Sequence, residues 1–410
     1  MNAVLLLMGL LVLASLGGFL VSGRTVRGMG LPSGIEYVAL GFLLGPQALD
    51  LVAGDTLASF EPVVHVALGW LAFAVGLDFG FSGDKRVSGG NLALGTISSL
   101  VTGGAVAGAA WFTMQLLHLS MTSTDRILLA GGVGAACSET TRHAVRWVVD
   151  RHSANGPLSD RLNDVAHADD FFPLLAVAVL FALEPTRHVA VRMPLRDWPA
   201  ITAALGLLLG GGAALLVRSE LRLEDTWGVL FGVTLIAIGT SERLGLSTLT
   251  AAFFVGIAVS LFSRHRRELR AMVAPTERPV LLPALLLAGA RIDLHMSPAL
   301  PWIAGAAIGA RLVAKVIVGW MLAISSRSAR KAGWLVGLSL LSSGGLAVCV
   351  GLAFALRFPG TVGDTVLAIA VLSAMVGEFL GPVRLRRALQ AAGEIRETEA
   401  SNPASGEVAA

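Results

Sequence analysis

Long apolar stretches alternate with short charged connections along almost the whole chain. Bounded by charges or by Gly and Pro, they fall near 3–22, 32–53, 62–82, 91–117, 127–149, 162–183, 198–217, 226–241, 245–262, 279–295, 300–324, 333–356 and 363–383. Each is close to the roughly 20 residues that cross a bilayer as a helix. The pattern therefore predicts an all-α integral membrane protein of about thirteen transmembrane helices. After Leu389 the residues turn polar, small and acidic, which predicts a disordered tail over 390–410.

Charge placement orients these spans. With the N-terminus outside, the cytoplasmic side receives Lys85 and Arg86, the arginines of 142–161 and 264–278, Arg327, Arg330 and Lys331, and Arg384, Arg386 and Arg387. The other side receives fewer, and the second connection carries only Asp50, Asp55 and Glu61. The bias predicts an odd number of spans and a cytoplasmic C-terminus. The stretch 3–22 lacks a preceding basic residue and a small-residue cleavage site, so it reads as a first span and not a signal peptide.

Composition agrees. Apolar residues make up 54% and charged residues 14%, against about 25% charged in a soluble domain, and the mean hydropathy is +0.73. The isoelectric point near 9.3 does not point to nucleic acid, because the basic residues are scattered between spans. Cys137 and Cys349 lie inside apolar stretches and read as small packing residues.

Six spans, a linker span and six more place the second set upside down relative to the first, the arrangement of inverted-repeat transporters. The fifth span reads LLAGGVGAACSETTRHAVRWV and the twelfth GLSLLSSGGLAVCVGL. Small, hydroxyl and glycine residues interrupt both, which predicts two broken helices meeting at mid-membrane, with freed carbonyls and half-helix ends facing a site. Close helix packing through small residues would produce similar stretches.

Ionisable residues inside spans cost about 2.5–3.5 kcal/mol each at mid-bilayer and so need partners or a purpose. The sixth span carries Asp169 and Asp170, and the eleventh carries Arg311 and Lys315, four residues apart on one helical face. Successive residues of a helix point about 100° apart, so the two acids should have different partners. One can be held ionised by an ammonium such as Lys315. The other can take either a proton or a hard cation, and that competition is an exchange mechanism. Helix capping would also suit these acids, although Asn163 and Asp164 are better placed for it. Glu139, Thr140 and Thr141 offer oxygen ligands in the fifth-span break, though a local Glu139–Arg142 pair would also account for the charge. His167 could tune the acids, and Glu378 is a further buried acid.

Together GMGLPSGIEYVALGFLLGP, the break with SETT, the ADD of Ala168–Asp170, the RLVAK of Arg311–Lys315 and GLSLLSSGGLAV resemble the monovalent cation/proton antiporters, the family that includes bacterial sodium/proton exchangers. The resemblance spans nearly the whole chain, and ADD at this distance after the break is its most specific element. It implies that Asp170 is the ion ligand, that Asp169 partners Lys315, and that exchange is electrogenic. It also implies a moving core over about 91–183 and 300–388, a dimerising scaffold over about 1–82 and 226–295, and a linker span at 198–217. The expected partners are a monovalent cation, protons, the lipid bilayer and a second copy of the chain. The expected location is the bacterial inner membrane, with no cofactor. A sodium-coupled organic-anion transporter using Arg142 or Arg311, and a channel or signalling subunit, are the alternatives. No metalloprotease motif, nucleotide loop or nucleophile–base pair suggests an enzyme.

Overall fold

The computed structural model describes residues 34–82, 85–184, 194, 197–217, 222–293 and 298–395, together with 5, 9 and 12. The first expected span, apart from those three positions, and the tail from 396 lie outside the described residues. The rest is almost entirely helical. In chain order the helices are α1 (Glu36–Leu44), α2 (Gly54–Ser59), α3 (Glu61–Asp78), α4 (Gly89–Leu116), α5 (Ser123–Ser138), α6 (Arg142–Arg151), α7 (Pro157–Ala168) and α8 (Phe171–Leu183). They continue with α9 (Asp197–Val217), α10 (Leu223–Leu244), α11 (Thr248–Phe262), α12 (Arg266–Ala290), α13 (Leu300–Ser325) and α14 (Arg327–Ala332). A 3-10 helix (Trp334–Leu340), α15 (Gly345–Arg357) and α16 (Thr361–Ala392) complete the chain. A two-residue hairpin, β1 (Phe81–Ser82) with β2 (Lys85–Arg86), is antiparallel.

Among the described residues seven helical spans, one of them α7 and α8 together, are long and apolar enough to cross a membrane; the bent pair formed by the 3-10 helix and α15 makes an eighth. The other expected spans are short, as α1 and α11 are, or interrupted, as α5 and α6 are, or carry acids at their ends, as α10 does. The architecture is the expected all-α membrane fold with an inverted repeat. In one half α4, the broken pair α5/α6 and α7/α8 follow one another; in the other, α13, the broken pair of 3-10 helix and α15, and α16 do so.

Glycines set how closely the helices approach. A Cβ at Gly41 would overlap the Leu286 carbonyl and one at Gly289 the Val38 carbonyl, so α1 and α12 touch backbone to backbone. Gly76 and Gly256 do the same for α3 and α11. At these positions the packing role of small residues prevails.

Three boundaries differ from the sequence expectation. The second span stops at Gly45, because Pro46 cannot continue the helical hydrogen bonding, and 45–53 form turns. The tenth begins at Arg266, not 279: α12 contains Pro275, Pro279 and Pro283 and continues through them. The tail starts later than 390. Helix α16 runs to Ala392, Gly393 closes it at φ 78°, and the buried Glu394 accepts from the backbone N–H groups of Leu158 at 2.6 Å and Ser159 at 2.8 Å, capping the start of α7.

Candidate functional site

The two breaks meet. The Thr141 backbone N–H donates to the Ser342 carbonyl at 2.8 Å, and the Thr140 hydroxyl donates to the Leu340 carbonyl at 3.1 Å. Side chains then complete what the breaks leave open. Helix α15 begins with backbone N–H groups that lack helical partners and carries a partial positive charge there. Glu139 Oε2 accepts from two such groups, Gly344 N at 3.1 Å and Ala347 N at 2.9 Å. One broken helix thus neutralises the end of the other.

Arg311 and Lys315 lie one turn apart on α13 and serve adjacent residues of the first break. Arg311 donates to the Glu139 carbonyl at 2.9 Å and to the Ser373 hydroxyl on α16 at 2.9 Å. Its partners are oxygens of the backbone and a hydroxyl, not the paired acids. The fully buried Lys315 donates to the Thr140 hydroxyl at 2.7 Å and stands 4.0 Å from Asp169 Oδ2. Among the described residues neither oxygen of Asp169, itself 0% exposed, reaches a hydrogen-bonding partner.

Asp169 and Asp170 do not lie within one continuous helix, as the sequence reading has it. They are the junction between α7 and α8, and the cause is local. Pro173 offers no N–H to the Asp169 carbonyl four residues earlier, and its ring crowds that carbonyl. The two acids face apart, as adjacent residues with helical backbone angles do: Asp169 faces Lys315, while Asp170 lines a cavity of about 340 Å³ together with Glu139, Thr141, Arg142 and Gly345. His167 stands away from both acids. Its Nδ1 lies 2.7 Å from the Asn163 carbonyl and its Nε2 3.1 Å from Arg146. Because a guanidinium only donates, Nε2 must be the bare nitrogen and Nδ1 the protonated one.

A second charged cluster borders the same cavity and is absent from the sequence expectation. Arg142 pairs with Asp78 at 3.0 Å and approaches Glu277 at 3.8 Å. Arg270 pairs with Asp78 and with Glu277 at 2.5 Å, and His143 lies 3.7 Å from Glu277. The local Glu139–Arg142 pair does not form, because each residue points to a different helix. Asp78 could have been found as an acid at the end of an apolar span. Arg270 and Glu277 fall in the preceding connection when the tenth span is read from 279.

The cavity reaches exposed residues at His143, whose side chain is 53% exposed, and at Ala274, Pro275 and Arg278. Other polar contacts join α15 and α8 to the helices α10–α12. Arg357 donates to the Gly245 carbonyl at 3.2 Å, Arg291 to the Ala355 carbonyl at 3.2 Å, and Thr250 to the Leu174 carbonyl at 2.6 Å. Arg291 is anchored on its own side by Glu61 at 3.1 Å.

Comparison with known proteins gives a consistent picture. The family model described as sodium/hydrogen exchanger, transmembrane, matches residues 11–389. The fold is similar to that of the sodium proton antiporter MjNhaP1 from Methanocaldococcus jannaschii at pH 8, with a TM-score of 0.72 and 17% identity over 96% of this chain and 99% of that one. An electron-microscopy structure of the same antiporter gives 0.70 and 18% over the same shares. No curated protein sequence matches the chain.

Proposed function

We propose, because the chain belongs to the sodium/hydrogen exchanger family, that it is a secondary antiporter exchanging a monovalent cation, Na+, K+ or Li+, for protons. The observation that carries this reading is the division of labour between two adjacent buried acids, Asp169 facing a buried ammonium and Asp170 facing a cavity. A buried carboxylate without a fixed cationic partner needs a proton or a metal ion. Asp170 takes one or the other, Thr141 adds a hydroxyl beside it, and Asp169 answers through Lys315. Thr140 serves this pair by holding the ammonium in place.

If only the loaded site passes between the two sides, downhill movement of one ion drives uphill movement of the other. The moving body in this reading is the core over about 91–183 and 300–388, sliding against the scaffold over about 1–82 and 226–295. The scaffold also pairs two copies of the chain. The distribution of basic residues favours a cytoplasmic C-terminus in the bacterial inner membrane, which puts the mouth beside His143 on the cytoplasmic side. The organic-anion alternative loses support, since Arg311 is engaged by Glu139 and Ser373 and Arg142 by Asp78.

The test is proton flux in proteoliposomes, read by an internal pH dye after addition of Na+, K+ or Li+. Wild-type protein should move protons with at least one ion, and Asp170→Asn should not. Folded protein that moves no protons with any of the three would refute the antiport reading.

A further inference from the structure

Arg142 differs from the other members of its charged cluster in where it is carried. Asp78 lies on α3, and Arg270 and Glu277 lie on α12, whereas Arg142 is the first residue of α6, immediately after the break. The acids do not depend on it. Asp78 is paired with Arg270 as well as with Arg142, and Glu277 is bonded to Arg270 at 2.5 Å. If Arg142 left, both acids would keep a guanidinium. Arg142 has no such freedom, because it is 5% exposed and a buried guanidinium needs an acid wherever it goes.

Outside that cluster, two acids line the same cavity as Arg142, namely Glu139 and Asp170. Glu139 is already committed to the backbone N–H groups of Gly344 and Ala347. That leaves Asp170. The cavity's other charged side chains, His143 and Arg278, do not offer an acid, and Arg270 belongs to the cluster that Arg142 would leave.

We infer that Arg142 is a built-in competitor for the ion-binding carboxylate, held aside by Asp78 and Glu277 in the conformation described and released toward Asp170 when the segment carrying α6 slides along α3 and α12. The inference rests on the antiport reading and deepens it. While Asp78 holds the guanidinium, Asp170 is free to take a cation or a proton. Once Asp78 is left behind, the guanidinium lowers the affinity of Asp170 for the cation and favours its release. Arg142 would thus set a difference in cation affinity between the two faces without being a ligand itself.

The test is the apparent KM for Na+, K+ or Li+, whichever drives flux, at fixed pH in proteoliposomes. Arg142→Gln removes the competitor and should lower KM, whereas Asp78→Asn loosens the hold on it and should raise KM, each by about fivefold. Glu277→Gln should raise KM by less, given its longer 3.8 Å contact. The double variant Asp78→Asn/Arg142→Gln should behave like Arg142→Gln alone. None of these changes leaves a buried ion without a partner, so all should fold, as a thermal melt would verify. A purely structural cluster would move KM the same way in Asp78→Asn and Arg142→Gln, or in neither, and either result overturns the inference. The dependence of flux on Asp170 tests the antiport reading separately, so the two can fail independently.

Discussion

Lys315 is the residue whose surroundings dictate most. It is fully buried, bonded to Thr140 and 4.0 Å from Asp169. Removing one partner of a buried ion pair costs about 3–5 kcal/mol, while replacing both costs far less. Lys315→Ala should therefore lower the melting temperature sharply, and Lys315→Ala combined with Asp169→Asn should recover part of the loss. A double variant no more stable than the single one would show that the two residues do not act on each other. Glu139 makes a different prediction. Its carboxylate accepts two backbone bonds at a helix start. Glu139→Gln keeps an acceptor but loses the charge, a change of about 0.3–1 kcal/mol, whereas Glu139→Ala also leaves buried N–H groups unmatched, at about 1–3 kcal/mol. Thermal unfolding of the two variants should rank them in that order. The sequence made these residues legible as charges in apolar spans, but not their assignments. Arg311 reads as a charge partner and turns out to hold carbonyl and hydroxyl oxygens, because the break exposes carbonyls that no linear pattern reveals.

At the scale of elements, both interruptions in the repeat were legible, since glycine and hydroxyl residues replace the apolar run in each. The third interruption, at Asp169 and Asp170, was not, although its cause lies in the chain. Pro173 cuts the helix four residues upstream of itself. In α12 the inference ran the other way. The charges of 264–278 read as a connection, yet the helix runs from Arg266 through all three prolines, so Arg270 and Glu277 lie on it and not in a loop. The close approach of α1 to α12 at Gly41 and Gly289 supports that segment in a way that local propensity does not register. Pro173→Ala should let α7 and α8 join, turning the two acids to different positions. Cation-driven proton flux should fall severalfold while the melting temperature holds or rises. Unchanged flux would mean that the junction does not position Asp170.

For the whole molecule, the account depends on the contrast between the cavity beside Asp170 and the hydrogen bonds at the far end of α15. One end holds the cavity reaching Asp170, and the other is crossed by hydrogen bonds from Arg291 to the Ala355 carbonyl and from Arg357 to the Gly245 carbonyl. Each such bond contributes about 0.5–1.5 kcal/mol, so Arg291→Gln with Arg357→Gln should shift the population toward the state open at that end. Faster maleimide labelling of Ala355→Cys, a buried position whose carbonyl accepts from Arg291, would record the shift, and unchanged labelling would show that these bonds do not hold that end closed. The central claim is that cation and protons compete for Asp170. It is tested most directly by the apparent KM for the transported cation across a series of pH values in proteoliposomes. Competition predicts that KM climbs as pH falls, by up to about tenfold per pH unit for one proton, while the maximal rate at saturating cation changes little. A KM that stays constant across the series while the maximal rate alone changes would contradict the account.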